Sequence, residues 1–487
     1  MQPTIKLLPE ELINRILDEA FQLMVKTGIK VQSSEARNLL SEADARIDEG
    51  NNIAYIPEKT IRQALQSTPQ EFLLYNQDGE AAVQYGGDQV QFDPGSSAVH
   101  VLDSDTLEHR PARTSDLIRL VKLAEKLPQY EAQSTAVVCS EIPKEIGDLY
   151  RLYIVLRYST KPIVTGAFSI KTLKYMIEML KIMCVGQKGL NEKPRAVFDV
   201  CPSPPLIWSE FGSQNLIELA KAGVPTQIVS MPLAGAAAPV TLIGSVVQHA
   251  AECLSGITIH QLAQPGAPIV WGGAPAIFDM RQGTTPMGAM ETAMIDVCYA
   301  QVGKSLNLPT HTYLGASDAK IVDYQAGLES GISAVIGALA GINMISGAGM
   351  LDFLACQSIE KLVVDAEGIA MAKRLLDGVQ ERTEPLALEM FTGINFKGDF
   401  LKQKITRELF PLEQHIPSPV IDRSSIRGWQ AEGSPDTFTR AKKHAQYLLA
   451  GYQTPDLPAE RLKELDRLVF LLAKESGVDD IEAYIQD

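Results

Sequence analysis

From Pro9 to Gly28 the apolar residues Leu12, Ile13, Ile16, Leu17, Phe21 and Met24 recur at three- and four-residue intervals, which predicts an amphipathic helix ending near a glycine. A second short helix follows, and Pro57 opens a third that runs to Leu65. The stretch FLLYNQDGEAAVQYGGDQVQF then alternates in polarity and carries DG and GG dipeptides, the pattern of hairpins. Residues 1–88 read as an α+β cap.

Beyond residue 88 the rhythm becomes apolar strand, loop and helix, repeated eight times over residues 89–378, about the size of one (β/α)8 barrel. The predicted strands contain Val90 to Phe92, Ala136 to Cys139, Pro162 to Thr165, Ala196 to Val200, Gln227 to Ser230, Ile269 to Trp271, Thr310 to Leu314 and Asn343 to Ile345. Their helices begin near Ser115, Lys144, Ile170, Glu210, Thr241, Gly288, Tyr324 and Ser358. An open, doubly wound sheet is the rival arrangement, but an unbroken rhythm of eight units with no GxGxxG turn favours closure. Residues 379–487 bring aromatic and charged stretches, the Pro-rich HIPSPVIDR and two helices, Thr437 to Tyr452 and Pro458 to Ser476. The fold class is α/β: a TIM barrel with an N-terminal α+β cap and a C-terminal helical extension.

Charge narrows the partners. With 44 basic and 59 acidic residues among 487, the formal charge is −15, which disfavours nucleic acid and anionic membranes as partners. Six scattered cysteines form no CxxC pair, so neither a disulfide framework nor a zinc ribbon is predicted, and a reduced cytoplasm is the simplest setting. The N-terminus has acids by its tenth residue and lacks a signal-peptide pattern, and no apolar run is expected to approach membrane-spanning length.

The loops that follow the later strands are built from small residues: PLAGAAAPVT from Pro232, WGGAPAIFDMRQG from Trp271, LGASDAKIVDYQAG from Leu314 and ISGAGMLDF from Ile345. In a barrel such loops line the mouth, and small residues there let a large or flat partner approach the backbone. Gly272, Gly273, Gly315, Gly347 and Gly349 lie at three adjacent strand ends; tight turns alone are one reading, but three such neighbours favour the docking of a flat ring.

Read together, PTQIVSMPLAGAAAPVTLIGSVVQHAAECLSGITIHQLAQPGAPIVWGG, FDMRQGTTPMGAMETAM, GASDAKIVDYQAGLESG, LAGINMISGAGMLD and FLKQKITRELFPL resemble the trimethylamine methyltransferase superfamily over most of the chain. The resemblance implies a (β/α)8 barrel that moves a methyl group from a methylamine to the cobalt of a cognate corrinoid protein. It also implies a homo-oligomer. The trimethylamine enzymes carry pyrrolysine in the barrel, whereas every position here is an ordinary amino acid, so the resemblance points to a quaternary amine such as glycine betaine, with proline betaine and carnitine-like donors as alternatives. The pyrrolysine-equivalent position is expected near Leu314 to Ser317. Lys402 and Gln403 stand where relatives are expected to be His-rich. The chain lacks a cobalamin-binding DxHxxG signature, so cobalamin is expected to be supplied by the partner and no cofactor is expected on this chain.

A quaternary ammonium has no lone pair for a metal or acid to act on, and the seven histidines show no zinc-site clustering, so no metal site is assigned. Orientation of the methyl group and exclusion of water are the expected work. Aromatic faces and carboxylates recognise such cations. Phe92, Phe168, Trp208, Phe211, Trp271, Phe278, Tyr313 and Phe353 are the aromatic candidates, each either cage or core. Arg281 is the candidate for a betaine carboxylate, against a surface ion pair. Asp318 is a catalytic candidate, or the partner of Lys320; Asp93 and Asp352 follow strands, where capping is equally plausible. His311 sits two residues before Tyr313 and shares its face, as a site residue or as a buried core histidine. A non-catalytic methylated-amine binder is the rival of another class. A lyase would want a lumenal lysine or a metal cluster, which the predicted strand ends do not offer.

Overall fold

The computed structural model describes residues 2–184, 189–392, 394, 396 and 398–478. Eight parallel strands form one sheet: β1 (Gln91–Pro94), β2 (Gln133–Ser134), β3 (Ile163–Thr165), β4 (Ala196–Val200), β5 (Thr226–Ile228), β6 (Ile269–Gly273), β7 (Thr310–Tyr313) and β8 (Met344–Ala348). Neighbours in the chain are neighbours in the sheet, and β8 pairs with β1. The Glu131 N–H donates to the Phe92 carbonyl at 3.0 Å and the Ser97 N–H to the Thr135 carbonyl at 3.1 Å, which joins β1 to β2 and closes the barrel.

Helices α1 (Thr114–Lys126), α2 (Gly147–Tyr158), α3 (Ile170–Met183), α4 (Glu210–Ala222), α5 (Leu242–Ala263), α6 (Met290–Ser305), α7 (Tyr324–Leu339) and α8 (Ile359–Leu376) alternate with the strands. Several start where a short polar side chain satisfies a free backbone N–H: Ser169, Ser209, Thr241, Asp323 and Ser358 each accept from the residue three positions on.

The predicted and observed strands agree except at β2. The apolar run AVVC points to a strand at 136–139, yet the assigned strand lies on Gln133 and Ser134. Those polar side chains are satisfied in place, Gln133 by the Val121 carbonyl and Ser134 by that of Gly95, while Val137 still pairs with Ala98 just beyond.

One expectation is overturned: α5 is long and apolar enough to cross a membrane. Here it is a core helix. It packs between the N-terminal helices and α6, with 83% of its apolar window buried.

The N-terminal region supplies more than a cover. The helices Glu10–Lys26 and Glu58–Ser67 pack on α5. A hairpin of Phe72–Tyr75 and Ala81–Tyr85 turns at Gly79, which sits at φ 78°. Its Leu74, Val83 and Tyr85 pack with Ala132, Val164, Val197, Val270 and Met344, and so stopper the N-terminal end of the barrel. With that end filled, the open end is the C-terminal one. After α8, the helices Thr437–Ala450 and Ala459–Glu475 lie against α8 and α1 and against α3 and α2 respectively, close to their predicted spans.

Candidate active site

Strand alternation sends Asp199 and Cys201 of the β4 end to the same face. Phe198 and Val200 beside Asp199 are 0% and 2% exposed, whereas Asp199 retains solvent contact, so its carboxylate opens on the lumen. Two donors hold it, one of them braced by a third residue. Tyr85 of the stopper donates to Gln227 Oε1 at 3.2 Å, Gln227 donates to Asp199 Oδ1 at 2.7 Å, and the Tyr313 hydroxyl donates to Oδ2 at 3.3 Å. Ser96, after β1, lies 2.9 Å from the same Tyr313 hydroxyl.

Enclosure by the barrel pushes the Asp199 pKa up to about 7, against the opposing hydrogen bonds from Gln227 and Tyr313. Cys201 lines open space deep in the mouth, and enclosure, followed by the Asp199 charge, pushes its thiol up to about 12.

A second cluster stands beside the first. Ser346 donates to Asp93 Oδ1 at 2.6 Å, and His311 Nε2 lies 3.0 Å from the Ser346 hydroxyl. Burial pushes His311 down to about 3 and pushes Asp93 well above the usual carboxylate range, with Asp199 adding to the latter effect. His311 is therefore neutral near pH 7, and Asp93 is held toward its protonated form. Asp199 is the lumenal group poised to change charge there.

The structure sorts the residues named from sequence. His311 and Tyr313 share a face as expected, their rings edge to face at 5.3 Å. Phe92 instead joins the main hydrophobic core outside the sheet. Trp208 lies against α5, where its Nε1 donates to Ser255 and its ring occupies the space beside Gly256. Trp271 faces α6, donates to the Tyr299 carbonyl and fills the space beside Gly303. Phe92 and Trp271 are packing residues because outward positions on barrel strands meet the helices rather than the lumen, and Trp208, beyond β4 on a short strand beside Ile29–Val31, packs against α5.

Phe168, Phe278 and Phe353 lie in mouth loops. Phe168 is 53% exposed. Phe353 is the middle of three consecutive left-handed residues, Asp352, Phe353 and Leu354, a strained turn with Lys320 Nζ 3.9 Å above the Phe353 ring. Leu354 packs toward Tyr313, Met287 and Val229 and so covers part of the mouth.

Three charged candidates are corrected. Arg281 is 87% exposed and paired with Asp279 at 2.8 Å, away from the lumen. Lys320 binds the Asp318 backbone carbonyl and the Asp352 carboxylate, not the Asp318 carboxylate. Asp318 accepts from the Met287 and Gly288 N–H groups at 2.8 and 3.0 Å, tying the loop after β7 to the loop after β6; burial pushes its pKa up to about 6.

The glycines form no bare platform. A Cβ at Gly272 would meet the Ile228 carbonyl and His311; at Gly273, His249 and Ser230; at Gly347, the Leu314 carbonyl; and at Gly349, Gln357. Those spaces are filled by the protein itself. Gly315, at φ 86°, has free space, but it lines a recess of about 200 Å³ between α7 and α8.

Sequence reasoning missed Asp199, Gln227 and Ser96. The signal for Asp199 was present: one carboxylate inside the otherwise apolar strand AVFDV. Among the described residues, no group of three or more His, Cys, Asp or Glu side chains is disposed to hold a metal.

Comparison with known proteins bears on this site. The family model for trimethylamine methyltransferase matches residues 1–476. A trimethylamine methyltransferase of Methanosarcina mazei is 31% identical over 92% of this chain and 91% of its own length. A glycine betaine methyltransferase of Desulfitobacterium hafniense is 28% identical over 98% of both chains. The crystal structure of the Methanosarcina barkeri monomethylamine methyltransferase superposes with a TM-score of 0.52 at 11% identity, covering 92% of this chain and 89% of that one, and so shares the fold. With a match that runs from the cap through the barrel into the last helix, the chain belongs to the trimethylamine methyltransferase family.

Proposed function

We propose that this protein moves a methyl group from a quaternary amine, glycine betaine first, to the cobalt of a corrinoid carried by a separate protein. The observation that carries the reading is Asp199, a carboxylate held in the lumen between Gln227 and Tyr313 at a pKa near 7. A quaternary ammonium placed against it draws it into the anionic form and is located by it. The amine nitrogen can accept no proton before the methyl leaves, so a neutral His311 and an Asp93 held toward its protonated form by burial fit a site that positions rather than protonates.

Too tight a grip on the cation would favour the ground state, because charge leaves nitrogen as the methyl departs. A single carboxylate with aromatic and aliphatic walls, Tyr313, Leu354 and Val229, suits placement with moderate affinity. The reduced corrinoid supplies the nucleophile; this chain orients the methyl group and keeps water out.

Exposed Phe168, Met231, Val240 and Met280 follow β3, β5 and β6 and give the mouth an apolar rim, the kind of surface a protein partner covers. The mainly acidic chain and its free thiols support a cytoplasmic setting. Exposed Leu386, Leu388, Phe391 and Phe410, before the last two helices, support self-association.

The test is product identification. The protein, a reduced corrinoid carrier and each of glycine betaine, proline betaine, carnitine, γ-butyrobetaine and trimethylamine are incubated, and demethylated products are measured by mass spectrometry. Dimethylglycine from glycine betaine is the expected result. Binding of these amines without any demethylated product would make the protein a non-catalytic binder.

A further inference from the structure

Arg151, on α2, is 1% exposed, and among the described residues its guanidinium forms no ion pair with a carboxylate. Its Nη1 donates to Ser97 Oγ at 2.9 Å and to the Thr135 carbonyl at 3.1 Å. Its Nε is buried with no hydrogen-bond partner, and Nη2 makes none. The nearest acid on its own helix, Asp148, is turned elsewhere: it accepts from the Phe168 N–H and the Thr172 hydroxyl, both at 2.5 Å. Asp148 acts on Arg151 only through space, and a buried guanidinium with no hydrogen-bonded carboxylate is costly. The free Nε–Nη2 edge is the side-by-side donor pair that a carboxylate takes in bidentate fashion.

Its location matters. The partners of Arg151 lie after β1, on the β2 end and, through the Phe168 ring 4.7 Å from Cζ, after β3. The neighbouring Ser96 touches Tyr313, and Tyr313 touches Asp199. A short chain of contacts thus links an unpaired buried cation to the lumenal carboxylate.

We propose that the Nε–Nη2 edge of Arg151 receives the carboxylate of a zwitterionic methyl donor whose ammonium lies against Asp199. The inference rests on the quaternary-amine reading and narrows it: Arg151 is the residue that favours donors bearing an anionic end over purely cationic ones.

The experiment is calorimetric titration of glycine betaine, choline and tetramethylammonium into the unmodified protein, and into Arg151→Gln and Arg151→Lys. Glycine betaine is expected to bind the unmodified protein about 10- to 150-fold more tightly than either cation, the range for hydrogen bonds to a charged group. Arg151→Gln removes that preference while leaving binding of the two cations within twofold, and Arg151→Lys restores part of it. Equal binding of all three ligands by the unmodified protein would overturn the role of Arg151 while leaving the quaternary-amine reading standing. So would an Arg151→Gln loss shared alike by all three ligands. Failure of every quaternary ligand to bind would sink that reading and this inference together.

Discussion

The Tyr313 hydroxyl and the Asp199 carboxylate meet inside the barrel at 3.3 Å, β7 to β4, while Gln227 holds the other carboxylate oxygen at 2.7 Å. Two donors therefore offset part of the cost of enclosing a negative charge. Burial still wins, and the pKa is left near 7. A site that is half-charged when empty and fully charged when occupied by a cation has consequences that can be measured.

Binding should tighten with pH. Below about pH 7 the empty site is mostly protonated, and a quaternary ammonium must displace that proton; above it, affinity levels off. Titrations of glycine betaine at pH 6 and pH 8, in buffers of different ionisation enthalpy, should show release of up to one proton at the lower pH. Affinity that does not change between the two would remove Asp199 from the site.

Replacing Tyr313 by Phe deletes a hydrogen bond that lowers the Asp199 pKa, so the midpoint of that pH dependence should move upward by about 0.5–1 unit. The same substitution frees Ser96. A midpoint that stays put or moves down contradicts the assignment.

Asp199→Asn should stabilise the empty protein at pH 8. In the unfolded chain this acid ionises near 3.8 and in the folded one near 7, so folding stability falls as pH rises between those values. Removing the carboxylate removes that loss, a gain of about 1–3 kcal/mol by urea unfolding, with amine binding lost. Unchanged or lower stability at pH 8 would mean the carboxylate is not under strain.

Trp271 offers the contrast. Its ring fills the space beside Gly303, where an added Cβ would come within 2.5 Å, and its Nε1 donates to the Tyr299 carbonyl at 2.9 Å. Trp271→Phe should cost about 2–4 kcal/mol of stability and leave KM for the amine within twofold. A large rise in KM with stability intact would return Trp271 to the cage.

The barrel was legible because its repeat is a physical period: short, mostly apolar strands of two to five residues, small-residue loops and capped helices recur along residues 89–378. The site was less so. The alternation that places His311 and Tyr313 on one face can be read from sequence, but which face looks inward at Trp271 or Phe92 depends on what the helices cover. Arg281 drew notice for its place in a mouth loop, whereas Arg151 sits in an apolar helix that reads as core. Only the closed seam between β1 and β2 brings that guanidinium to Ser97. Asp199 could have been found as the one charge in an apolar strand, since burying it without purpose is costly.

The most direct measurement is single-turnover methyl transfer from glycine betaine to a reduced corrinoid carrier, compared between the unmodified protein and Asp199→Asn at pH 8. The account predicts stoichiometric dimethylglycine from the former and a rate lower by about 100-fold or more from the latter, the scale of losing a charged contact of about 2.7 kcal/mol. Equal rates from the two proteins would contradict the claim that a lumenal carboxylate at Asp199 positions the methyl donor.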